Sequence, residues 1–373
     1  MHLVRKKQIG FYITDNPEED IFMKKKFLSL LLGVVIGATM LTGCGKKETT
    51  STAEPTKAAT GSVVGAKGVD GKKIGICIYK FDDNFMTLYR EELQSYLEAG
   101  GAKVTVMDGK NDQAEQTNQI QNFITQGVDV LIVNLVQSSA AEQVTNQCAE
   151  AGIPVVFINR EPDDAEKDRW SANSIKATYV GADARQSGTY QGEIIANLPN
   201  FGDVNGDGTV GYIMVQGDPE NVDAQYRTEF SIKALTDAGA TVKELDKQRG
   251  DWDQAKGQEI TANALTAQGN DIDVVFCNND AMALGALQAI DAAGRTVGKD
   301  IYLVGVDALT EALENVQNDK MTGTVFNDHI SQAHAAADIA AKYITGEAVE
   351  VTNMVDYVKV TKDNAAEILD ILK

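Results

Sequence analysis

The segment Val128-Asp-Val-Leu-Ile-Val-Asn134 is an apolar run that ends in Asn, and a similar run, Ile272-Asp-Val-Val-Phe-Cys-Asn278, recurs in the second half of the chain. Short apolar runs of this kind are typical of parallel strands, which are buried on both faces of a sheet. The two runs resemble each other in length and in their polar ends. Their recurrence predicts two copies of one α/β architecture.

Strand-like and helix-like segments alternate on both sides of these two runs. In the first half we predict strands at 74–79, 104–107, 128–135 and 154–158, with helices at 86–99, 114–126 and 140–151. The pattern restarts after residue 182 with strands at 210–215, 241–245, 274–277 and 302–306 and helices at 186–197, 224–238, 254–266 and 282–293. We therefore predict two doubly wound α/β lobes with parallel sheets, a ligand cleft between the lobes and a hinge that closes it.

Composition narrows the classes of function. The 373 residues include 54 Asp and Glu against 34 Lys and Arg, a formal net charge of −20. A surface this acidic repels phosphate backbones, which argues against a nucleic-acid partner. The four cysteines have no metal-ligand spacing, and the chain has three histidines. The chain therefore has few of the side chains that a zinc centre or a histidine-based catalytic triad needs.

The N-terminal region has the pattern of an export signal. Three lysines at 24–26 precede the apolar run 27–40, which is followed by Leu41-Thr-Gly-Cys44. A positive segment, a short apolar segment and small residues describe a secretory signal, and the apolar run is short for a membrane span. The ending resembles the bacterial lipobox, which implies a lipid anchor on Cys44 at the outer face of the cytoplasmic membrane. An uncleaved anchor or a buried hairpin are the alternatives.

We predict no binding role for the segments on either side of this export signal. Residues 1–22 form an upstream extension, because Met23 is the better start of the export signal. Residues 44–70 are rich in Thr, Ala, Gly and Lys, which predicts a solvated flexible tether.

Polar and aromatic residues follow almost every predicted strand. Planar Asp, Asn and Arg groups can pair with adjacent sugar hydroxyls, and aromatic faces can cover the C–H faces of a pyranose ring. A single Asp or Asn at such a position is commonly a helix N-cap. Seven loops with this chemistry favour a binding site; they begin at Asp82, Asn159, Asn221, Asp251, Asn278, Val306 and Asn327.

From about Lys73 to its end, the sequence resembles the periplasmic-type sugar-binding proteins of ABC transporters, in particular those for D-galactose and D-glucose. The resemblance is carried by four segments: Tyr79-Lys-Phe-Asp-Asp-Asn-Phe-Met86, Pro154-Val-Val-Phe-Ile-Asn-Arg-Glu-Pro162, Asn278-Asn-Asp-Ala-Met282 and Gly305-Val-Asp-Ala-Leu309. It implies the periplasmic binding protein type I fold. We expect an N-terminal lobe of residues 71–182 and 328–357 and a C-terminal lobe of residues 183–327 and 358–373.

The resemblance also implies a set of sugar-binding residues. Asp83 would accept a sugar hydroxyl, and Phe85 and Trp252 would cover the two faces of the ring. The remaining hydrogen-bonding positions are Asn159, Asn221, Asp223, Arg227, Asn279, Asp307 and Asn327. Asn221 is a departure, because the family member that resembles this chain has a histidine there.

The segment Asp203-Val-Asn205-Gly-Asp207-Gly-Thr209 matches the first seven positions of a calcium loop. Position twelve is Met214, which has no side-chain oxygen, so the bidentate ligand must come from elsewhere. The resemblance places it at Asp273, where the family has Glu, and Gly211 stands where a side-chain oxygen is expected. We predict a structural calcium ion held by Asp203, Asn205, Asp207, Thr209 and Asp273, in a weakened site.

An enzyme is the main alternative class. Asp82 with Asp83, or Asp251 with Asp253, would be a glycosidase pair, but adjacent residues point apart and neither pair has a second partner. We predict a non-enzymatic, lipid-anchored binding protein that delivers D-galactose or D-glucose to the permease subunits of an ABC importer. The alternatives are a binding protein for another monosaccharide and a sugar sensor that presents its ligand to a membrane receptor.

Overall fold

The computed structural model describes residues 64–373. The predicted upstream extension, the signal segment, Cys44 and most of the predicted tether lie outside the described residues. Among residues 64–373, no helix has the length and apolar character needed to cross a membrane.

The first sheet has six parallel strands in the order β11-β5-β4-β3-β1-β2. Alternate side chains of its strands pack into two separate cores, one against α1 and α10 and the other against α2, α3 and α4. The strands are β1 (Lys73–Ile78), β2 (Lys103–Asp108), β3 (Val130–Val133), β4 (Val155–Ile158), β5 (Ala177–Gly181) and β11 (Thr352–Met354). The helices are α1 (Asn84–Ala99), α2 (Gln113–Gln126), α3 (Ala141–Ala151), α4 (Asp164–Asn173) and α10 (His329–Thr345).

The second sheet has four parallel strands in the order β7-β6-β8-β9, and a two-stranded antiparallel pair, β10 with β12, lies beside it. The four strands of the sheet are β6 (Val210–Gln216), β7 (Val242–Arg249), β8 (Val274–Cys277) and β9 (Tyr302–Val304), and the antiparallel pair is β10 (Thr324–Phe326) and β12 (Val358–Val360). The helices around it are α5 (Ala184–Ala196), α6 (Val222–Asp237), α7 (Gln254–Gln268), α8 (Asp280–Ala292), α9 (Thr310–Gln317) and α11 (Ala365–Ile371). Apolar cores again lie on both faces.

The chain passes between the two sheets three times: after β5, after β10 and after β11. Both sheets are parallel and covered by helices on both faces, so the predicted fold class of two doubly wound α/β lobes is confirmed. The exact lobe boundaries stay a prediction. Cys77, Cys148 and Cys277 are buried free thiols, and each packs in its lobe as a small apolar side chain.

Candidate functional site

A cavity lies where the carboxyl ends of the two parallel sheets meet. This is the position at which ligands bind to open α/β sheets. All ten residues predicted to bind sugar line it: Asp83, Phe85, Asn159, Asn221, Asp223, Arg227, Trp252, Asn279, Asp307 and Asn327. The tertiary structure therefore brings the whole predicted set together, and the role of each residue in binding stays a prediction.

Three of these residues are helix N-caps as well as cavity residues. Asp83 accepts a hydrogen bond from the Met86 backbone N–H at 2.8 Å, and Asn279 accepts one from the Met282 N–H at 3.0 Å. Asn221 caps α6 by accepting from the Asp223 N–H at 3.0 Å. A cap holds a side chain at the positive end of a helix in one orientation. Here the cap also fixes which atoms face the cavity.

The Asp83 carboxylate has hydrogen-bonding capacity left for a ligand. Its Oδ1 accepts from the Met86 N–H, and its Oδ2 accepts from the Tyr79 hydroxyl at 2.6 Å. An ionised carboxylate offers about four lone-pair sites, so each oxygen keeps one site free. Tyr79 thus orients the group without saturating it.

The two aromatic side chains come from different lobes. Phe85 lies at the start of α1 and is buried, with its ring edge against His329 at a centroid distance of 6.3 Å. Trp252 follows β7 and packs over Gly217, where an added Cβ would overlap the indole ring. Trp252 adopts a φ of 66°, a left-handed conformation that is uncommon for a large residue. The turn that carries Trp252 is therefore strained, as backbone at functional sites often is.

Arg227 on α6 is one of two buried arginines that line the cavity, with 3% of its surface exposed. Its Nη1 donates to the Asn278 carbonyl oxygen and its Nη2 to the Tyr357 hydroxyl, both at 2.9 Å. Its Nε has no hydrogen-bond partner among residues 64–373. Leaving a buried donor unpaired costs about 1–3 kcal/mol, and more for a charged group. Arg227 thus lines the cavity and keeps one donor that no described residue accepts from.

Two buried carboxyl groups face this arginine. Burial raises the pKa of Asp223 to about 6 and that of Asp307 to about 7, although the positive charge of Arg227 opposes both shifts. The Asp223 carboxylate lies 3.6 Å from Arg227 Nη2, and Asp307 accepts from the Asn327 amide at 3.3 Å. Burial therefore disfavours the charged form of both acceptors, and a ligand that donates hydrogen bonds to them would favour it.

Three further residues line the cavity and are not in the predicted set: Tyr79, Met86 and Arg160. The guanidinium of Arg160 lies 3.9 Å from the centroid of the Tyr79 ring, donates to the Val136 carbonyl oxygen and lies 4.0 Å from Asp218 of the other lobe. All three stand in segments that carry the resemblance. Sequence analysis could have found them, because they stand close in the sequence to the predicted site residues Asp83, Phe85 and Asn159.

The loop of residues 203–209, which precedes β6, has part of the predicted calcium site. Asp203, Asn205 and Asp207 each accept backbone N–H bonds from residues further along the loop, as expected of such a turn. Gly211 supplies no side-chain oxygen. Within residues 64–373, no group of three or more His, Cys, Asp or Glu side chains is arranged to hold a metal ion. Because Gly211 supplies no oxygen, the loop lacks one side-chain ligand of a full calcium shell, and calcium binding stays a prediction.

A family model described as a periplasmic binding protein domain matches residues 74–348. The D-galactose/methyl-galactoside binding periplasmic protein MglB of Haemophilus influenzae is 35% identical over 83% of this chain and 96% of its own. The ribose import binding protein RbsB of Bacillus subtilis is 29% identical over 75% of this chain and 84% of its own.

A solved ABC transporter solute binding protein from Bacillus halodurans, with bound myo-inositol, superimposes with a TM-score of 0.70. It is 30% identical, and the match covers 81% of this chain and 98% of that structure.

Proposed function

The chain belongs to the periplasmic binding protein domain family, and we propose that it captures one hexose, D-galactose or D-glucose, between its lobes for an ABC importer. It is a binding protein and not an enzyme, as are the relatives that it matches. Its place is the cell envelope, and its partners are the sugar and the permease subunits. Retention of an unchanged sugar requires strong ground-state hydrogen bonding and no transition-state chemistry.

The observation that carries this proposal is the composition of the cavity wall. Phe85 and Trp252 supply one aromatic face from each lobe, and planar polar groups surround the space between them. Arg227 is one of the lining residues, its Nε has no partner among residues 64–373, and we assign this donor to a hydroxyl or ring oxygen of the sugar. A pyranose has two C–H faces and a rim of hydroxyls, which is the complement of this wall.

The choice of galactose and glucose depends on Asp83. Its two oxygens each keep one free lone-pair site, so one carboxylate can accept the 4-hydroxyl in its axial position in galactose and in its equatorial position in glucose. The relative from Haemophilus influenzae, named for D-galactose and methyl-galactoside, supports this assignment.

Another small polyol is the second candidate ligand. Asn221 stands where the resemblance expects histidine. Its Oδ1 accepts one bond in capping α6, so it offers the ligand its amide N–H groups and one acceptor site, on a side chain shorter than histidine. The relative from Bacillus subtilis is named for ribose import, and the solved protein from Bacillus halodurans holds myo-inositol. A sensor that presents its sugar to a membrane receptor would use the same cavity.

We also propose that Cys44 carries a lipid anchor that holds the protein at the outer face of the cytoplasmic membrane. The support is the lysine cluster, the apolar run and the Leu-Thr-Gly-Cys ending. Attachment through a tether would leave the lobes free to meet the permease.

Calorimetric titration of the purified protein against a panel of sugars tests the proposal. We expect D-galactose and D-glucose to bind at least tenfold more tightly than D-ribose, myo-inositol or 4-deoxyglucose. Equal or tighter binding of ribose or myo-inositol would replace the hexose assignment with the second candidate. The absence of binding by every sugar in the panel would reject sugar capture itself.

A further inference from the structure

The carboxylate of Asp273 organises the loop of residues 203–209 from outside it. Asp273 is fully buried at the start of β8, and the loop lies more than sixty residues earlier in the chain. Its Oδ1 accepts from the backbone N–H groups of Val204 and Asn205, each at 3.1 Å, and its Oδ2 accepts from the Gly211 N–H at 2.8 Å. Three amide dipoles from the loop and from β6 therefore converge on one carboxylate.

The same contacts use up the capacity that a bidentate metal ligand would need. A carboxylate oxygen has about two lone-pair sites, so Oδ1 is saturated by two N–H donors and Oδ2 keeps one site. The Asp273 backbone is fixed as well, because its N–H donates to the Gly211 carbonyl oxygen at 2.8 Å and its carbonyl accepts from Tyr302 at 2.8 Å. The side chain cannot turn both oxygens towards a cation without releasing these bonds.

Position 211 cannot supply the other missing calcium ligand. A Cβ at this position would overlap the carbonyl oxygen of Asp271, so no oxygen-bearing side chain fits there without a shift of the backbone. The two departures from the calcium pattern, glycine at 211 and aspartate at 273, thus lie in direct contact through the hydrogen bond from the Gly211 N–H. The two departures are therefore structurally coupled: the Asp273 carboxylate that replaces a metal ligand is bound to the backbone of the glycine that replaces the other.

We propose that Asp273 holds this loop closed without a metal ion, so that an anion of the protein takes the place of a bound cation. A cation would gather the oxygens of Asp203, Asn205 and Asp207, whereas the carboxylate gathers backbone N–H groups. The stability of the loop then depends on Asp273 and not on calcium. This claim does not depend on which sugar the cleft binds.

Thermal denaturation with matched variants tests the proposal. We expect the purified protein, stripped with chelator, to have the same Tm in the chelator as in millimolar calcium, and calcium titration by calorimetry to give no heat of binding. Asp273→Asn should lower the Tm by about 4 °C or more, because its amide would face the Gly211 N–H donor to donor. Asp207→Asn is the control, since Asn keeps the bond to the Thr209 N–H and removes only the charge that a cation would use.

A calcium-dependent rise of the Tm that Asp207→Asn abolishes would overturn the proposal and support the calcium prediction. An Asp273→Asn protein as stable as the parent would also overturn it. Should Asp273→Asn fail to fold, the calcium and chelator measurements on the parent chain and on Asp207→Asn still decide between the two.

Discussion

Replacing Asp83 by Asn separates the binding role of this residue from its role in the fold. Asn is as good an N-cap as Asp, so its Oδ1 can still accept from the Met86 N–H and α1 should keep its first turn. The amide has one acceptor oxygen where the carboxylate has two. What the variant loses is the charged acceptor that we assign to the 4-hydroxyl of the sugar.

The magnitude follows from the environment of Asp83, which is 9% exposed. A hydrogen bond to a charged group contributes about 1.5–3 kcal/mol, and each 1.4 kcal/mol is a factor of ten in affinity. We expect Asp83→Asn to raise the Kd of both galactose and glucose by about 10- to 150-fold. The Tm of the free protein should change little, because the cap is retained and the Asn amide can donate to the Tyr79 hydroxyl, which donates to Asp83 in the parent.

Calorimetry with glucose and 4-deoxyglucose completes a double-mutant cycle. If Asp83 accepts the 4-hydroxyl, the parent protein should discriminate strongly between the two sugars and the variant only weakly. Asp112→Asn is the matched control: Asp112 caps α2 in the same way, from the Ala114 and Glu115 N–H groups, and it lies outside the cavity. Equal losses of affinity for both sugars in Asp83→Asn, with zero coupling, would refute the assignment of the 4-hydroxyl.

The remaining predictions concern the ring face, the pH and the anchor. Trp252→Ala should weaken galactose and glucose together by about tenfold or more, because stacking depends little on the 4-hydroxyl; calorimetry showing loss of one epimer alone would contradict this. Burial raises the pKa values of Asp223 and Asp307 to about 6 and about 7, so the free protein holds protons there that a donating sugar must displace. Affinity should therefore fall as the pH drops from 7 to 5, by at most about tenfold per unit and per group, and the stability of the free protein should fall as the pH rises from about 4 to 7. A flat affinity profile between pH 5 and 8 would be the opposing result. Cys44→Ser should move the protein from the membrane fraction to the soluble fraction with its sugar affinity unchanged, and an unchanged distribution would argue against lipidation.

The local sequence pattern is sufficient to predict the helices and strands that have long apolar runs. The predicted strand 274–277 coincides with β8, and the predicted helix 86–99 differs from α1 only at its start, which Asp83 places at Asn84. These elements are specified by the spacing of their own apolar residues. Because such units repeat along the chain, the two-lobed α/β class could be predicted without knowledge of any contact.

Shorter elements depended on partners far away in the chain. β5 and β11 pair with each other although more than 170 residues separate them. Neither strand is a continuous apolar run, so the sequence pattern does not predict it. The preceding helix α4 buries little beyond Glu166 and Trp170, so its helical spacing is faint. Pairing energy, and not local propensity, decides that these segments are ordered elements.

Some features of the candidate site could likewise be predicted from the sequence, and others depend on the tertiary structure. Residue type and position after a strand were enough to select Asp83, Asn221 and Asn279, but a cap and a ligand contact have the same local signature, and the structure shows that all three are caps that also line the cavity. The unpaired Nε of Arg227 and the bond from Tyr79 to Asp83 are decided only by folding, because hydrogen-bond partners and burial are properties of neighbours. Sequence therefore determined which chemistry was available, and the packing of the two lobes determined which atoms were left free to use it.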